Sequence, residues 1–415
     1  MTDDHALRCV ILGAGHAAAQ CAVSLRKDGW VGSITLIGDE PSLPYHRPPL
    51  SKGYLKGDTT LDSMLIRPRA LYDQNNITLE LGRRAMHLDR ARQTVQLDDG
   101  RDIPYDRLVL ATGSICRRPA IAGLDRPGVY FLRSAADADR LRAVTANAAR
   151  VVLVGGGYIS LELAASFRKQ GLSVTVLERN ARLLARVTAP EVSAFFQSVH
   201  EAEGVEIHTG VAVLEITGDA PALQVVARDG RTFAGDLVIL GTGALPNTAL
   251  AEAAELEVDN GILVDEQNRT SDPHLFAIGD CARQHHPHYQ RLVRLESVQN
   301  AVEQAKTASA ALTGKPIPRR PLPWFWSDQY DIKLQIAGLS TGYTDLVLRG
   351  TPDQRRSFSA WYFQGPTLLA VDTVNDPLAY VVGSKLIEGK AAVDRAALAQ
   401  PEGDLKALLT RTRGA

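Results

Sequence analysis

The feature that most restricts how this chain can fold is a unit that occurs twice. In the first copy the apolar run Arg8-Cys-Val-Ile-Leu12 leads into Gly13-Ala-Gly15-His-Ala-Ala18. A helical pattern follows through Lys27, then Ser33-Ile-Thr-Leu-Ile37 and the acidic pair Asp39 and Glu40. In the second copy Val151-Val-Leu-Val154 leads into Gly155-Gly-Gly157-Tyr-Ile-Ser160, a helical stretch to Lys169, Ser173-Val-Thr-Val-Leu177 and Glu178, 142 residues downstream. Short β-branched runs on either side of a helix read as strand, helix, strand, with the two strands parallel. Each part has a physical task. Gly13 allows the tight turn, Gly15 lets a pyrophosphate approach the backbone, and Ala18 keeps helix and strand close. The helix N-terminus supplies amide donors and a positive dipole end to phosphate, and the acid at the second strand's end accepts hydrogen bonds from ribose hydroxyls. One such match is weak, because glycine-rich strand exits also serve merely as turns. Two copies, each with its acid at the expected offset, predict dinucleotide binding at both.

Length and composition set the frame around these units. The 415 residues allow two or three domains. With 45% apolar and 22% charged residues, disordered, collagen-like and membrane-embedded classes fit poorly. The 46 Lys and Arg against 47 Asp and Glu leave a formal charge of -1, so no global basic field attracts nucleic acid or an anionic membrane. Cys9, Cys21, Cys116 and Cys281 form neither a CxxC nor a CxxxxC spacing, and no metal-ligand cluster is expected. The apolar stretch Leu7 to Leu25 has an acidic flank and is interrupted by Gly13, Gly15, His16 and Gln20, unlike a signal peptide. Val151 to Phe167 is broken by three glycines and Glu162, unlike a membrane span. A cytoplasmic protein is expected.

Two further apolar runs, Leu108-Val-Leu-Ala-Thr-Gly113 and Leu237-Val-Ile-Leu-Gly-Thr-Gly243, look like the closing strands of the two units. Leu275-Phe-Ala-Ile-Gly279 is a third buried-type strand and delivers Asp280 to its carboxyl end, where ligands of open α/β sheets bind. A helix cap or turn is the competing reading of Asp280. A helix is predicted over 296–312.

With these residues in place the chain resembles the pyridine nucleotide-disulphide oxidoreductase-like flavoproteins. The motifs GxGxxA, ATG, GGGYIS, Gly-Thr-Gly-Ala-Leu-Pro-Asn and Thr270-Ser-Asp-Pro-His-Leu-Phe-Ala-Ile-Gly-Asp280 carry that resemblance. Within them, Pro44-Tyr-His-Arg-Pro-Pro-Leu-Ser-Lys52, Glu296-Ser-Val-Gln-Asn-Ala301 and Pro323-Trp-Phe-Trp-Ser-Asp-Gln-Tyr330 resemble the NADH-dependent ferredoxin reductases of the putidaredoxin reductase type. The resemblance implies an α/β fold with two Rossmann-like domains in the manner of glutathione reductase and a C-terminal α+β domain. It implies an FAD-binding domain of residues 1–114 and 245–320, an NADH-binding domain of 115–244, and a flavin-covering, ferredoxin-facing domain of 321–415.

By the same resemblance, non-covalent FAD meets Gly13, Gly15 and Ala17 at its pyrophosphate, Asp39 at the adenosine ribose and Asp280 at the ribityl chain. Lys52 lies beside the isoalloxazine, and Ala85, Thr112, Gly113, Arg133 and Val298 touch the flavin nucleotide. NADH, the substrate, meets Gly155, Gly157, Ile159, Glu178 and Gly243. Glu178 suits a free 2'-hydroxyl and repels a 2'-phosphate, although Arg179, Arg182 and Arg186 stand close in sequence. Tyr158 and Glu162, four apart and so on one helix face, are the ring that covers the flavin and the carboxylate that meets the carboxamide and Lys52. A packed tyrosine and a solvated glutamate are the alternatives. Ser160 stands where a glycine is usual, which predicts a slightly looser approach of helix to strand. Trp326 is placed at the flavin's exposed edge, against the plainer reading of Trp324, Trp326 and Tyr330 as core.

The implied activity is FAD-dependent transfer of electrons from NADH to an acidic [2Fe-2S] ferredoxin that supplies a P-450-type monooxygenase or ring-hydroxylating dioxygenase. Docking is transient and electrostatic, with Arg67, Arg69, Arg291, Arg294, Arg319 and Arg320 as candidates, and a monomer or weak dimer is expected. An NADH oxidase or peroxidase on the same scaffold is one alternative. It needs a CxxxxC pair on the first helix or a single cysteine past the second strand; Cys9 and Cys21 are too far apart for the first, and residues 41 to 52 contain no cysteine. An interaction protein resembling apoptosis-inducing factor is the other, and basic tails would favour it.

Overall fold

The computed structural model describes residues 7–352 and 356–411. The chain divides into two compact units. One comprises Met1–His46, Leu61–Ile115 and Ala244–Pro321; the other comprises Arg47–Thr60, Cys116–Gly243 and Leu322–Ala415.

The first unit is built on a five-stranded sheet in the order Leu275–Ala277, Arg107–Leu110, Cys9–Leu12, Ile34–Gly38, Ile77–Leu81. Every pairing is parallel, and Cys9 to Leu12 register against Ile34 to Ile37 on one side and Arg107 to Leu110 on the other. Parallel strands are covered on both faces, so they require continuous apolar runs. Cys9, Val10, Ile11 and Leu12 are all buried, and the three aliphatic side chains each contribute about 1.5–3 kcal/mol. Helix His16–Asp28 covers one face, and helix Val298–Leu312 packs along it, with Ser309 Oγ donating to Asp28 at 2.6 Å. The later helix starts two residues after Glu296, because Ser297 accepts the Asn300 amide and caps it there.

The second unit repeats this layout, in the order Val205–His208, Ser173–Leu177, Arg150–Val154, Leu237–Leu240, Val129–Phe131, again all parallel. It also holds a five-stranded antiparallel sheet from the C-terminal segment. Its order is Trp324–Gln329, Ile332–Gly338, Thr367–Val374, Phe358–Gln364, Asp345–Arg349, with helix Pro377–Glu388 packed on it. Trp324–Gln329 was legible in sequence only as an aromatic cluster; its side chains divide between the two faces of a strand, as the period of two requires. The result is a mixed α/β protein with two parallel sheets and a C-terminal sheet carrying its own helix. Among the described residues no helix is long and apolar enough to cross a membrane.

Candidate active site

The two glycine-rich turns have the same construction. Gly13 donates its amide to the Ile37 carbonyl and Gly155 to that of Leu177, both at 2.7 Å. Both glycines have left-handed backbones, at φ +123° and +110°. A Cβ on Gly13 would collide with the carbonyl oxygen of Ala111, and one on Gly155 with that of Gly241. Gly15 and Gly157 precede their helices with extended backbone and no side-chain cap. A Cβ on either would meet nothing within 4 Å. Uncapped first-turn amides beside open space fit a pyrophosphate. Ala17 and Ala18 turn into the core, whereas Ile159 is 49% exposed. Ser160 is buried. Its hydroxyl takes the space a side chain on Gly241, just past the strand Leu237–Leu240, would occupy.

The acids at the strand ends differ. Asp39 is exposed, its carboxylate 3.6 Å from the Arg84 guanidinium. Glu178 is buried and pinned: one oxygen accepts the Gly156 amide at 2.6 Å, the other the backbone and side-chain amides of Asn180 at 2.7 and 2.6 Å. Asp280 follows the strand Leu275–Ala277 and accepts from Ser114 Oγ at 2.9 Å. Thr112 Oγ1 donates to the Asn247 carbonyl, and the Asn247 amide returns to Gly113. Gly243 accepts the Arg117 amide, and Arg133 accepts the Arg47 guanidinium through its carbonyl. Ala85 opens the strand Ala85–Asp89, and Val298 opens its helix. Burial raises the pKa of all four thiols, that of Cys9 to about 12. Such cysteines are poor nucleophiles.

The most tightly built cluster lies in the second unit. Lys52 Nζ stands 2.6 Å from Glu162 Oε2, and the same oxygen accepts Ser51 Oγ at 2.6 Å. Glu162 Oε1 accepts Ser327 Oγ at 2.7 Å. A buried ion pair persists only when its remaining lone pairs are also satisfied, and the two serines do this. The solvated reading of Glu162 is therefore wrong. Tyr158, four residues earlier on the same helix, packs its ring on Phe325 at 4.8 Å. Phe325 and Ser327 are two apart on a strand, about 6.7 Å, and Tyr158 and Glu162 four apart on a helix, about 6 Å, so two contacts lock helix to strand in register. Sequence reasoning found Lys52, Tyr158 and Glu162 but missed Ser51, Ser327 and Phe325. The period-two face shared by Phe325 and Ser327 was the available signal.

On the other face of that strand Trp326 stacks on Trp324 at 5.0 Å. Of the arginines expected at a docking surface, Arg69 and Arg319 are exposed. Arg294 is not available: its side chain is 11% exposed and pairs with Glu296. Arg320 is drawn inward to the His285 carbonyl, and burial lowers its pKa to about 10.

The sequence matches the pyridine nucleotide-disulphide oxidoreductase family over residues 7–305 and the reductase C-terminal family over 324–409. The chain belongs to the pyridine nucleotide-disulphide oxidoreductase family. Within that family it is a ferredoxin reductase of the putidaredoxin reductase type. It is 44% identical to putidaredoxin reductase CamA of Pseudomonas putida, covering 97% of each chain. It is 43% identical to rhodocoxin reductase of Rhodococcus erythropolis, covering 97% of this chain and 94% of that one. The reductase in the crystal structure of the covalent putidaredoxin reductase-putidaredoxin complex superposes with a TM-score of 0.95 at 42% identity over 99% of both chains. Membership implies oxidoreductase chemistry with FAD and NAD(H).

Proposed function

We propose that the chain binds FAD without a covalent bond, takes hydride from NADH and passes electrons singly to an acidic [2Fe-2S] ferredoxin. That ferredoxin serves a P-450-type monooxygenase or ring-hydroxylating dioxygenase. The reading is carried by two open phosphate cradles, each followed by an acid, in one chain with the serine-walled Lys52–Glu162 pair. When bound, FAD accepts two electrons as a hydride and releases them one at a time.

The chain's own residues bind and orient. Gly13, Gly15 and Ala17 meet the FAD pyrophosphate, Asp39 its adenosine ribose and Asp280 its ribityl chain, with Ala85, Thr112, Gly113, Arg133 and Val298 along the nucleotide. Gly155, Gly157, Ile159 and Gly243 receive NADH, and Glu178 accepts from its ribose. Glu162 fixes the Lys52 ammonium and offers a carboxylate to the carboxamide. Tyr158 fills the nicotinamide's place until the nucleotide arrives, so hydride transfer needs stacking and distance rather than an acid or base. Trp326 stands at the exposed edge of the flavin. The functional divisions are 1–114 with 245–320, 115–244 and 321–415, in a cytoplasmic monomer or weak dimer.

The raised thiols favour this reading over an oxidase or peroxidase that works through a cysteine. Mixed anaerobically with the FAD-loaded protein, NADH is expected to bleach the flavin absorbance much faster than NADPH. Glu178→Ala narrows that difference by about ten-fold, the worth of one hydrogen bond to a charged group. Unchanged NADH/NADPH discrimination removes Glu178 from the ribose site. Failure of NADH to bleach the flavin removes the proposed function.

A further inference from the structure

We propose that Gln329 and His200 are positioning residues for Glu162, joined to it through Ser327 in a one-way chain of hydrogen bonds that starts at Tyr330. The proposal rests on the reading of Lys52 and Glu162 as the pair that meets the nicotinamide.

The links are continuous. Ser327 Oγ donates to Glu162 Oε1 at 2.7 Å, and Gln329 Nε2 donates to Ser327 Oγ at 3.1 Å. Gln329 Oε1 lies 2.8 Å from His200 Nε2, and His200 Nδ1 lies 3.3 Å from the Tyr330 hydroxyl. Ser327 and Gln329 share a face of the strand Trp324–Gln329. His200 comes from helix Pro190–Ala202, and Tyr330 sits in the hairpin turn that follows the strand. Ser327, Gln329 and His200 are at most 1% exposed, so bulk water cannot substitute for any of these partners.

The direction of every bond follows from one group. A carboxylate only accepts, so Ser327 must spend its proton on Glu162. Its oxygen is then the acceptor for Gln329, which must present its amide nitrogen to Ser327 and its carbonyl oxygen to His200. His200 therefore carries its proton on Nε2 and leaves Nδ1 bare for the Tyr330 hydroxyl. Burial supports this neutral form by lowering the His200 pKa to about 4. Bonds aligned head to tail polarise one another. Because an amide does not readily relay a proton, the chain orients Glu162 rather than conducting to it. Were Gln329 turned over, Ser327 would donate to it instead, and Glu162 Oε1 would lose its donor. Lys52 would then be held by a carboxylate fixed at one oxygen only.

The test uses the FAD-loaded full chain. The NAD+ dissociation constant is measured by calorimetry, and NADH KM and kcat are measured for ferredoxin reduction. Gln329→Leu and His200→Leu are expected to raise the NAD+ dissociation constant about ten-fold, with the kinetic change falling on KM more than on kcat. His200→Gln places an amide donor where Nε2 stood and is expected to restore most of the affinity. If His200→Gln and His200→Leu behave alike, or if the leucine variants bind NAD+ as the wild type does while Glu162→Gln binds weakly, the positioning role is overturned. If Glu162→Gln itself binds as the wild type does, the reading of the nicotinamide-side pair fails, and the proposal with it. Should Gln329→Leu not fold, the two His200 variants decide. Nitrogen NMR of histidine-labelled protein provides a readout free of turnover: the proton is expected on His200 Nε2, and finding it on Nδ1 overturns the chain's direction.

Discussion

Replacing Asp372 with asparagine is expected to leave the protein less stable than the wild type below about pH 4 and more stable above about pH 7. Asp372 is buried in the C-terminal sheet, where one carboxyl oxygen accepts the Tyr362 hydroxyl at 2.5 Å. Its other oxygen has no partner among the described residues. Burial raises its pKa to about 7 against the usual 3.8, and the Tyr362 bond offsets only part of that. The folded protein thus binds this proton more tightly than the unfolded chain. Stability from this group is fully present below pH 3.8 and is lost as pH rises through 7, at about 1.4 kcal/mol per pH unit, roughly 4 kcal/mol in all. Asparagine keeps an acceptor for Tyr362 but places an amide at the unpartnered position, a pH-independent cost of about 1–3 kcal/mol. Denaturant unfolding of both proteins at pH 4 to 8 should therefore give curves that cross. Parallel curves would mean that Asp372 titrates normally in the folded state.

The crossing also bears on the site, because Asp372 acts electrostatically on Tyr158. The Tyr158 hydroxyl is buried and unpartnered among the described residues, and burial holds its pKa well above the ordinary value. Tyr362 ties Asp372 in turn to the Ala189 amide at the start of helix Pro190–Ala202.

What could be read from the sequence was whatever the chain writes locally. Continuous apolar runs gave the parallel strands, and glycines that admit no Cβ gave the turns between strand and helix. Lys52, Tyr158 and Glu162 came from a family resemblance spanning nearly the whole chain. The partners of Glu162 did not, because Ser51 and Ser327 lie 111 and 165 positions away in sequence. An isolated serine gives no hint of a buried carboxylate so far along the chain. The neighbour of Ser160 was out of sight for the same reason: Gly241, which makes room for its hydroxyl, follows the strand Leu237–Leu240. Arg294 and Arg320 looked like surface, and only the fold shows that Glu296 and the His285 carbonyl draw them in.

The central claim is that electrons from NADH leave this protein for a [2Fe-2S] ferredoxin, and an anaerobic electron balance tests it most directly. A limiting amount of NADH is mixed with catalytic FAD-loaded protein and excess oxidised ferredoxin, and cluster reduction is followed by its absorbance. A hydride carries two electrons and the cluster takes one, so two ferredoxins reduced per NADH are expected. Transfer should slow as salt screens an acidic partner from its docking surface. In air without ferredoxin, NADH consumption should fall by orders of magnitude. Rapid NADH oxidation in air that ferredoxin does not accelerate, with oxygen or peroxide as the electron sink, would contradict the account.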